Sequence, residues 1–202
     1  MAYRIRAAAA QDVRAVVNIH RKMFPGFLMT LMGPGFLSGY YQSILDSSVG
    51  LLLVAENEAG DVIGFVSGFT SPSAFYGFFR KRKYRLALMS LFYVAFRPGL
   101  WARILENVST VERVADAQSD SKSAELSSIA VLSTVEGRGC GKSLVERFVA
   151  ECAAAGLPSI VLTTDAENND RVNSFYEKLG FEKVLTFKRS QGRLMNMYRF
   201  TI

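Results

Sequence analysis

The sequence predicts a single α/β (α+β) domain, and three observations carry that prediction. Short β-type runs and helix-type patterns alternate along most of the chain. The run Leu126–Leu132 enters a turn carrying Gly137, Gly139 and Gly141, and a helix pattern with apolar Leu144, Val145, Phe148 and Val149 follows at once. With 202 residues, 50% of them hydrophobic, the chain can bury one proper core. A charged fraction of 21% argues against disorder throughout.

The elements follow in order. Tyr3 to Ala7 is the first strand. Asp12 caps or charges the first turn of a helix running to about Lys22, with Val13, Val16, Val17 and His20 along one face. Residues 24–35 are turn-rich and apolar, and Phe36 to Leu45 form a second helix. Leu51–Glu56 and Val62–Thr70 pair as a hairpin through residues 57–61. Residues 72–121 look like an insertion of helices and a polar stretch. Behind the glycine turn and its helix come a strand at Ile160–Thr164 and a short helix ending at Gly180. A closing hairpin of 181–188 and 194–200 turns at 190–192. No internal repeat and no second domain is visible.

A glycine turn at a helix N-terminus offers free backbone N–H groups and the positive end of the helix dipole, a place for a phosphate. Three readings compete there. A dinucleotide fingerprint G-x-G-x-x-G fails, because Leu144 or Lys142 stands where its last glycine should be. The triphosphate loop G-x-x-x-x-G-K-S/T matches at Gly141-Lys142-Ser143, but its first glycine would be Glu136. It also lies too late in the chain, with room for only about one more βαβ unit of ~30 residues and a hairpin. A turn needing glycine for geometry alone is the third reading.

The downstream sequence separates them. The loop Glu136-Gly-Arg-Gly-Cys-Gly141 and the segment from Asn169 through Val172, Phe175, Tyr176 and Gly180 to Phe181 stand on either side of a helix and a strand. In this order the chain resembles the GCN5-related N-acetyltransferase (GNAT) superfamily, whose pattern is R/Q-x-x-G-x-G/A, helix, strand, then N-x-x-A/V-x-x-F/L-Y-x-x-x-G-F. The resemblance implies a mixed, mostly antiparallel central sheet of about seven strands flanked by helices. The helical insertion would precede the strand leading into the glycine loop. It implies one N-acetyltransferase domain over 1–202 and acetyl-CoA as cosubstrate. One departure stands out: Glu136 occupies the position usually held by Arg or Gln, with Arg138 and Lys142 as nearby sources of positive charge.

The same resemblance assigns roles. Backbone N–H groups of Arg138, Gly139, Cys140, Gly141, Lys142 and Ser143 would hold the pyrophosphate. The strand edge at Ile129 and Val131 would pair with the pantetheine arm, and Asn169 would bond it or a water beside it. Attack by an amine needs a neutral nucleophile and hence a proton acceptor. Glu125 stands where several members keep a glutamate for that step, with Asp165 as a second candidate. Tyr176 would return a proton to the leaving thiolate, its phenol being closer to a thiol in acidity than most side chains.

Composition sets further bounds. Cys140 and Cys152 lie about three helical turns apart, roughly 18 Å against the ~6 Å a disulfide allows, so both are expected as free thiols. Free thiols and the lack of an apolar core after the charges of Met1–Arg6 point to the cytoplasm. The only histidine, His20, has no ligand partner at metal spacing, so no metal is expected. The net charge of +6 owes much to the basic run at 80–85. Aromatic residues precede that run, and an apolar stretch of about eleven follows, short of the ~20 that span a bilayer. Segment 75–97 packs as a helix over the sheet, binds an anionic acceptor, or makes weak contact with an anionic membrane surface. No nucleic-acid partner is expected.

The acceptor implied is a primary amine of a small molecule, with amino sugars, including nucleotide-linked ones, favoured by the doubled Asn168-Asn169 and the aromatic insertion. Phe27, Leu28, Met29 and Met32 would shape its pocket. A protein N-terminus or lysine is the rival acceptor. A coenzyme-A-binding module without turnover and a membrane-peripheral protein are the readings from other classes. The chain would act as a monomer or homodimer.

Overall fold

The computed structural model describes residues 2–82, 122–189 and 192–202. Its centre is a seven-stranded sheet in the order β1-β2-β3-β4-β5-β7-β6. The strands are β1 Tyr3–Ala7, β2 Gly50–Asn57, β3 Val62–Phe69, β4 Ser123–Val131, β5 Ser159–Asp165, β6 Glu182–Lys188 and β7 Leu194–Thr201. Every pairing is antiparallel except β4 with β5. The expected mixed, mostly antiparallel sheet of seven strands is therefore present.

Helices cover both faces. On one side lie α1 Val13–Met23, the single turn α2 Leu28–Leu31, α3 Pro34–Asp46 and α4, helical from 72 to 82. On the other lie α5 Cys140–Ala154 and α6 Asp170–Lys178. Strand alternation divides the apolar residues between the two sides. In β2, Leu53 and Ala55 join the core under α5 and α6, while Leu52 and Val54 join the core under α1 and α3. A strand apolar on both faces is what a central position in a three-layer fold demands.

The helices start for local reasons. Pro34 opens α3 after Gly33, whose φ of 94° lies in the region glycine tolerates best. Asp12 does not cap α1 with its side chain; its carboxylate accepts the Ala9 N–H at 2.7 Å and pairs with Arg6. Its charge thus fixes the turn before α1 to β1. The turn-rich segment 24–35 contains α2, which the sequence pattern did not separate because one helical turn shows no periodicity.

Strand β4 begins at Ser123, earlier than the apolar run suggested. Ala124 and Glu125 are weak strand formers, and pairing with β5 overrides that preference. Of the insertion, only 72–82 is described. There Phe75 is fully buried and stacks on Phe69 at 3.8 Å, and Arg82 pairs with Asp46 at 2.6 Å. The rest of the insertion, with most of the basic run and the apolar stretch after it, lies outside the described residues. So do Ser190 and Gln191 of the closing turn.

Candidate active site

Strands β4 and β5 meet over only three residue pairs, Ser123 with Ser159, Ala124 with Ile160 and Glu125 with Val161. Small residues let them close there, and the hydroxyls of Ser123 and Ser159 touch at 2.7 Å. Beyond Glu125, β4 stays with β3 and β5 stays with β7 to its end. The sheet therefore opens into a V whose apex is Glu125. Ile129 and Val131 lie on the arm of β4 that has left β5. An unpaired strand edge presents N–H and C=O groups to whatever enters.

The glycine loop stands at the open end of that arm. Gly137 and Gly139 have φ of 74° and 82°, and Gly139 is the residue before the first turn of α5. Among the described residues, positions 137–142 donate no backbone hydrogen bond to the rest of the chain. Ser143 is the exception to the sequence expectation: its N–H closes onto the Gly139 carbonyl at 3.0 Å. Only its hydroxyl, 3.1 Å from that of Tyr3, remains for another role. A run of free N–H groups at a helix N-terminus is chemically suited to a pyrophosphate.

The side chains of the loop sort by exposure. Arg138 and Lys142 are exposed, Lys142 lying 3.7 Å from Glu146. Cys140 is buried, and burial pushes its thiol up to about 11, which makes it a poor nucleophile at neutral pH. Glu136 reaches across the mouth of the V to Arg171, at 3.0 Å on the first turn of α6. The anomalous carboxylate is thus neutralised in place by a cation from the opposite wall.

Helix α6 is held by amides. Asn169 donates to the Thr164 hydroxyl at 2.8 Å and to the Asp165 carbonyl at 3.1 Å. Asn173 donates to Asp165 and Asn169 carbonyls and accepts from Asn196 and Tyr198. Both Asn169 donors are therefore committed to the end of β5. Tyr176 is buried, its ring set against Phe175, Phe181 and Tyr198. Desolvation alone raises its phenol far above the usual range, so it holds its proton at neutral pH.

At the apex of the V, Glu125 is half-buried and accepts a hydrogen bond from the Tyr76 hydroxyl at 2.8 Å. Desolvation raises its carboxyl above the usual value, opposed by the Tyr76 hydrogen bond and by the Arg189 charge. Strand β4 is irregular just there. Ser128 faces Ser67 while Leu126 faces Gly68, so Ser127 is an extra residue, a β-bulge. Its hydroxyl meets that of Tyr40 from α3 at 2.9 Å. Gly68 makes the bulge possible: a Cβ there would sit 2.1 Å from the Glu125 carbonyl oxygen. Asp165, the other carboxylate considered, is gripped by the Arg193 fork at both oxygens. Arg193 in turn lies over the Phe27 ring at 5.0 Å, bringing the segment before α2 to the rim of the same region.

The sequence pattern missed Tyr76, Tyr40, Arg171 and Arg189. Tyr76 was visible only as the one hydroxyl in an aromatic cluster, and Arg171 as a basic residue at a helix start. Neither spacing carried a motif. No group able to hold a metal ion occurs among the described residues, and none of their helices is long and apolar enough to cross a membrane.

That geometry defines a mixed α/β fold whose sheet opens beside a loop suited to a pyrophosphate. The family model described as the acetyltransferase (GNAT) family matches residues 13–181, and the chain belongs to that family. It is an N-acetyltransferase by family, and the family uses acetyl-CoA. Among solved structures it is similar to Ard1 from Thermoplasma volcanium, at 16% identity and a TM-score of 0.64, covering 100% of this chain and 99% of that one. It is also similar to an N-acetyltransferase from Staphylococcus aureus Mu50, at 17% and 0.62, covering 100% and 99%. A ribosomal-protein-alanine N-acetyltransferase from Brucella melitensis gives 19% and 0.63, covering 98% and 99%. At these identities the likeness speaks to the fold. No curated protein matches the chain.

Proposed function

We propose that the protein acetylates a primary amine of a small molecule, an amino sugar or its nucleotide-linked form being the favoured scaffold. The observation that carries this reading is the single V of the sheet, with free loop N–H groups at its open end and Glu125 at its apex. Acetyl-CoA laid along β4 supplies the activated acetyl group. The N–H groups of Arg138, Gly139, Cys140, Gly141 and Lys142 would bind its pyrophosphate, with the Ser143 hydroxyl beside them. The edge at Ile129 and Val131 would pair with the pantetheine amides. Asn169 fixes the end of β5 with its two N–H donors, and its Oδ1 would bond the pantetheine arm or a water beside it.

The remaining steps belong to side chains of this chain. Glu125 takes the proton of the ammonium form of the acceptor. A carboxyl raised by desolvation is a better base than an exposed one. Asp165 is less suited, because Arg193 occupies both its oxygens. Tyr76 orients Glu125. Tyr176, neutral in its apolar setting, returns a proton to the departing thiolate.

The test is thiol release from acetyl-CoA across an acceptor screen of amino sugars, nucleotide-linked amino sugars, polyamines, amino acids and an alanine-initiated peptide. The proposal expects turnover on an amino sugar. Turnover confined to the peptide would move the function to protein N-termini. Acetyl-CoA binding with no turnover on any member would favour a binding module.

A further inference from the structure

Directly opposed residues of neighbouring strands share one face of a sheet. Glu125 faces Val161, and Val161 faces Arg199, so these three form one row across β4, β5 and β7. The backbones of Glu125 and Arg199 lie two strand spacings apart, roughly 10 Å. The same face carries Asp165, Met195 and Phe187 in another row, and alternation from Phe187 puts Arg189 on it as well. Tyr76 on α4 reaches this face from above to bond Glu125.

The charged groups of this face are not all paired. Arg193 is spent on Asp165. The Nε atoms of Arg189 and Arg199 are buried and have no hydrogen-bond partner among the described residues. Glu182, the next residue of the Arg199 row, makes no ion pair with it among those residues. Arg189 and Arg199 therefore share this face with Glu125, whose Oε1 is already taken by Tyr76, and neither makes an ion pair among the described residues. A buried guanidinium N–H left without an acceptor is costly, and carboxylates and phosphates are the groups whose oxygens match its fork. The Arg189 charge acts on both Glu125 and Tyr76, in keeping with their shared face.

We propose that the acceptor carries an anionic group, a carboxylate or a phosphate, beside its amine, and that Arg189 and Arg199 bind that anion while Glu125 receives the amine. The proposal rests on the acetyl-transfer reading of the Glu125 apex and narrows its substrate class. A polyamine, with cations at both ends, would meet two arginines and is disfavoured. An amine and an anion set about one arginine-to-glutamate gap apart fit the row.

The test uses matched acceptor pairs on the full chain: glucosamine and its 6-phosphate, an amino acid and its amide, ethanolamine and its phosphate ester. Thiol release gives kcat and KM for each. The expected result is at least a tenfold higher kcat/KM for the anionic member of one or more pairs. Arg189→Gln and Arg199→Gln should each erase most of that preference through KM. Phosphate pairs and carboxylate pairs distinguish the two anion chemistries. Titration calorimetry of the same pairs against the protein with coenzyme A gives a second readout that does not need turnover. Tighter binding of the anionic members, lost in the arginine variants, supports the proposal. Equal binding of both members, or a preference that survives both substitutions, overturns it. Coenzyme A titrated alone reports separately on the loop, so failure of the cosubstrate reading is distinguishable.

Discussion

Glu136 is the residue at which the sequence pattern and the physics of phosphate binding disagree most. Left alone, a carboxylate in that loop would repel a pyrophosphate. Its partner Arg171 changes the sum, and both side chains are exposed enough for the pair to be loose. A phosphate entering the loop would compete for the same guanidinium. Arg171→Ala should therefore raise KM for acetyl-CoA about three- to tenfold with little change in kcat, because it uncovers Glu136 and removes a cation. Adding Glu136→Gln to that variant should recover most of the loss. Steady-state kinetics at low and high salt checks both, since the effect should shrink as salt rises. The pattern showed Glu136 as anomalous, but Arg171 comes from a different element, and only folding brings the two together.

At the scale of elements, the bulge of β4 ties the apex of the V to the core behind it. A Cβ at Gly68 would meet the Glu125 carbonyl at 2.1 Å and the Phe148 ring at 2.5 Å, one from backbone and one from a fully buried side chain. Neither can yield cheaply. Gly68→Ala should cost about 2–4 kcal/mol in denaturant unfolding and shift the strand that carries Glu125. An unchanged midpoint would mean that β4 is not bulged there. The strands, the main helices and both hairpins were legible because period-two and period-3.6 patterns are strong in long elements. The bulge was not, since an extra residue in a strand leaves no trace in hydrophobic alternation. The single turn α2 was hidden for a related reason. The glycine loop was legible because its spacing reflects backbone needs, whereas the Tyr76–Glu125 bond depends on how α4 docks.

For the whole molecule, the buried His20 sets a pH limit. It sits between the helical layer and the sheet, its Nδ1 2.6 Å from the Tyr41 hydroxyl, and desolvation lowers it to about 4. Its folded value lies below its unfolded one, so its contribution is complete above about 6.5 and is lost as pH falls toward 4. The fold should lose about 3 kcal/mol over that window on this account. Glu125 acts with the opposite sign, its raised carboxyl favouring the fold as pH falls, so the wild-type slope alone is a sum. Urea midpoints at pH 7.5 and 4.5 for the protein and for His20→Gln separate them: the variant should show a clearly flatter dependence.

The central claim is that one V of the sheet binds acetyl-CoA at its loop and carries out proton removal at Glu125. Glu125→Gln keeps the shape and the Tyr76 contact while removing the base. Calorimetry and thiol release on one preparation of this variant test the claim most directly. The expected result is an unchanged acetyl-CoA Kd with kcat lowered about 10²- to 10³-fold on an acceptor that the protein turns over. Thiol release at the wild-type rate, with binding intact, would contradict it.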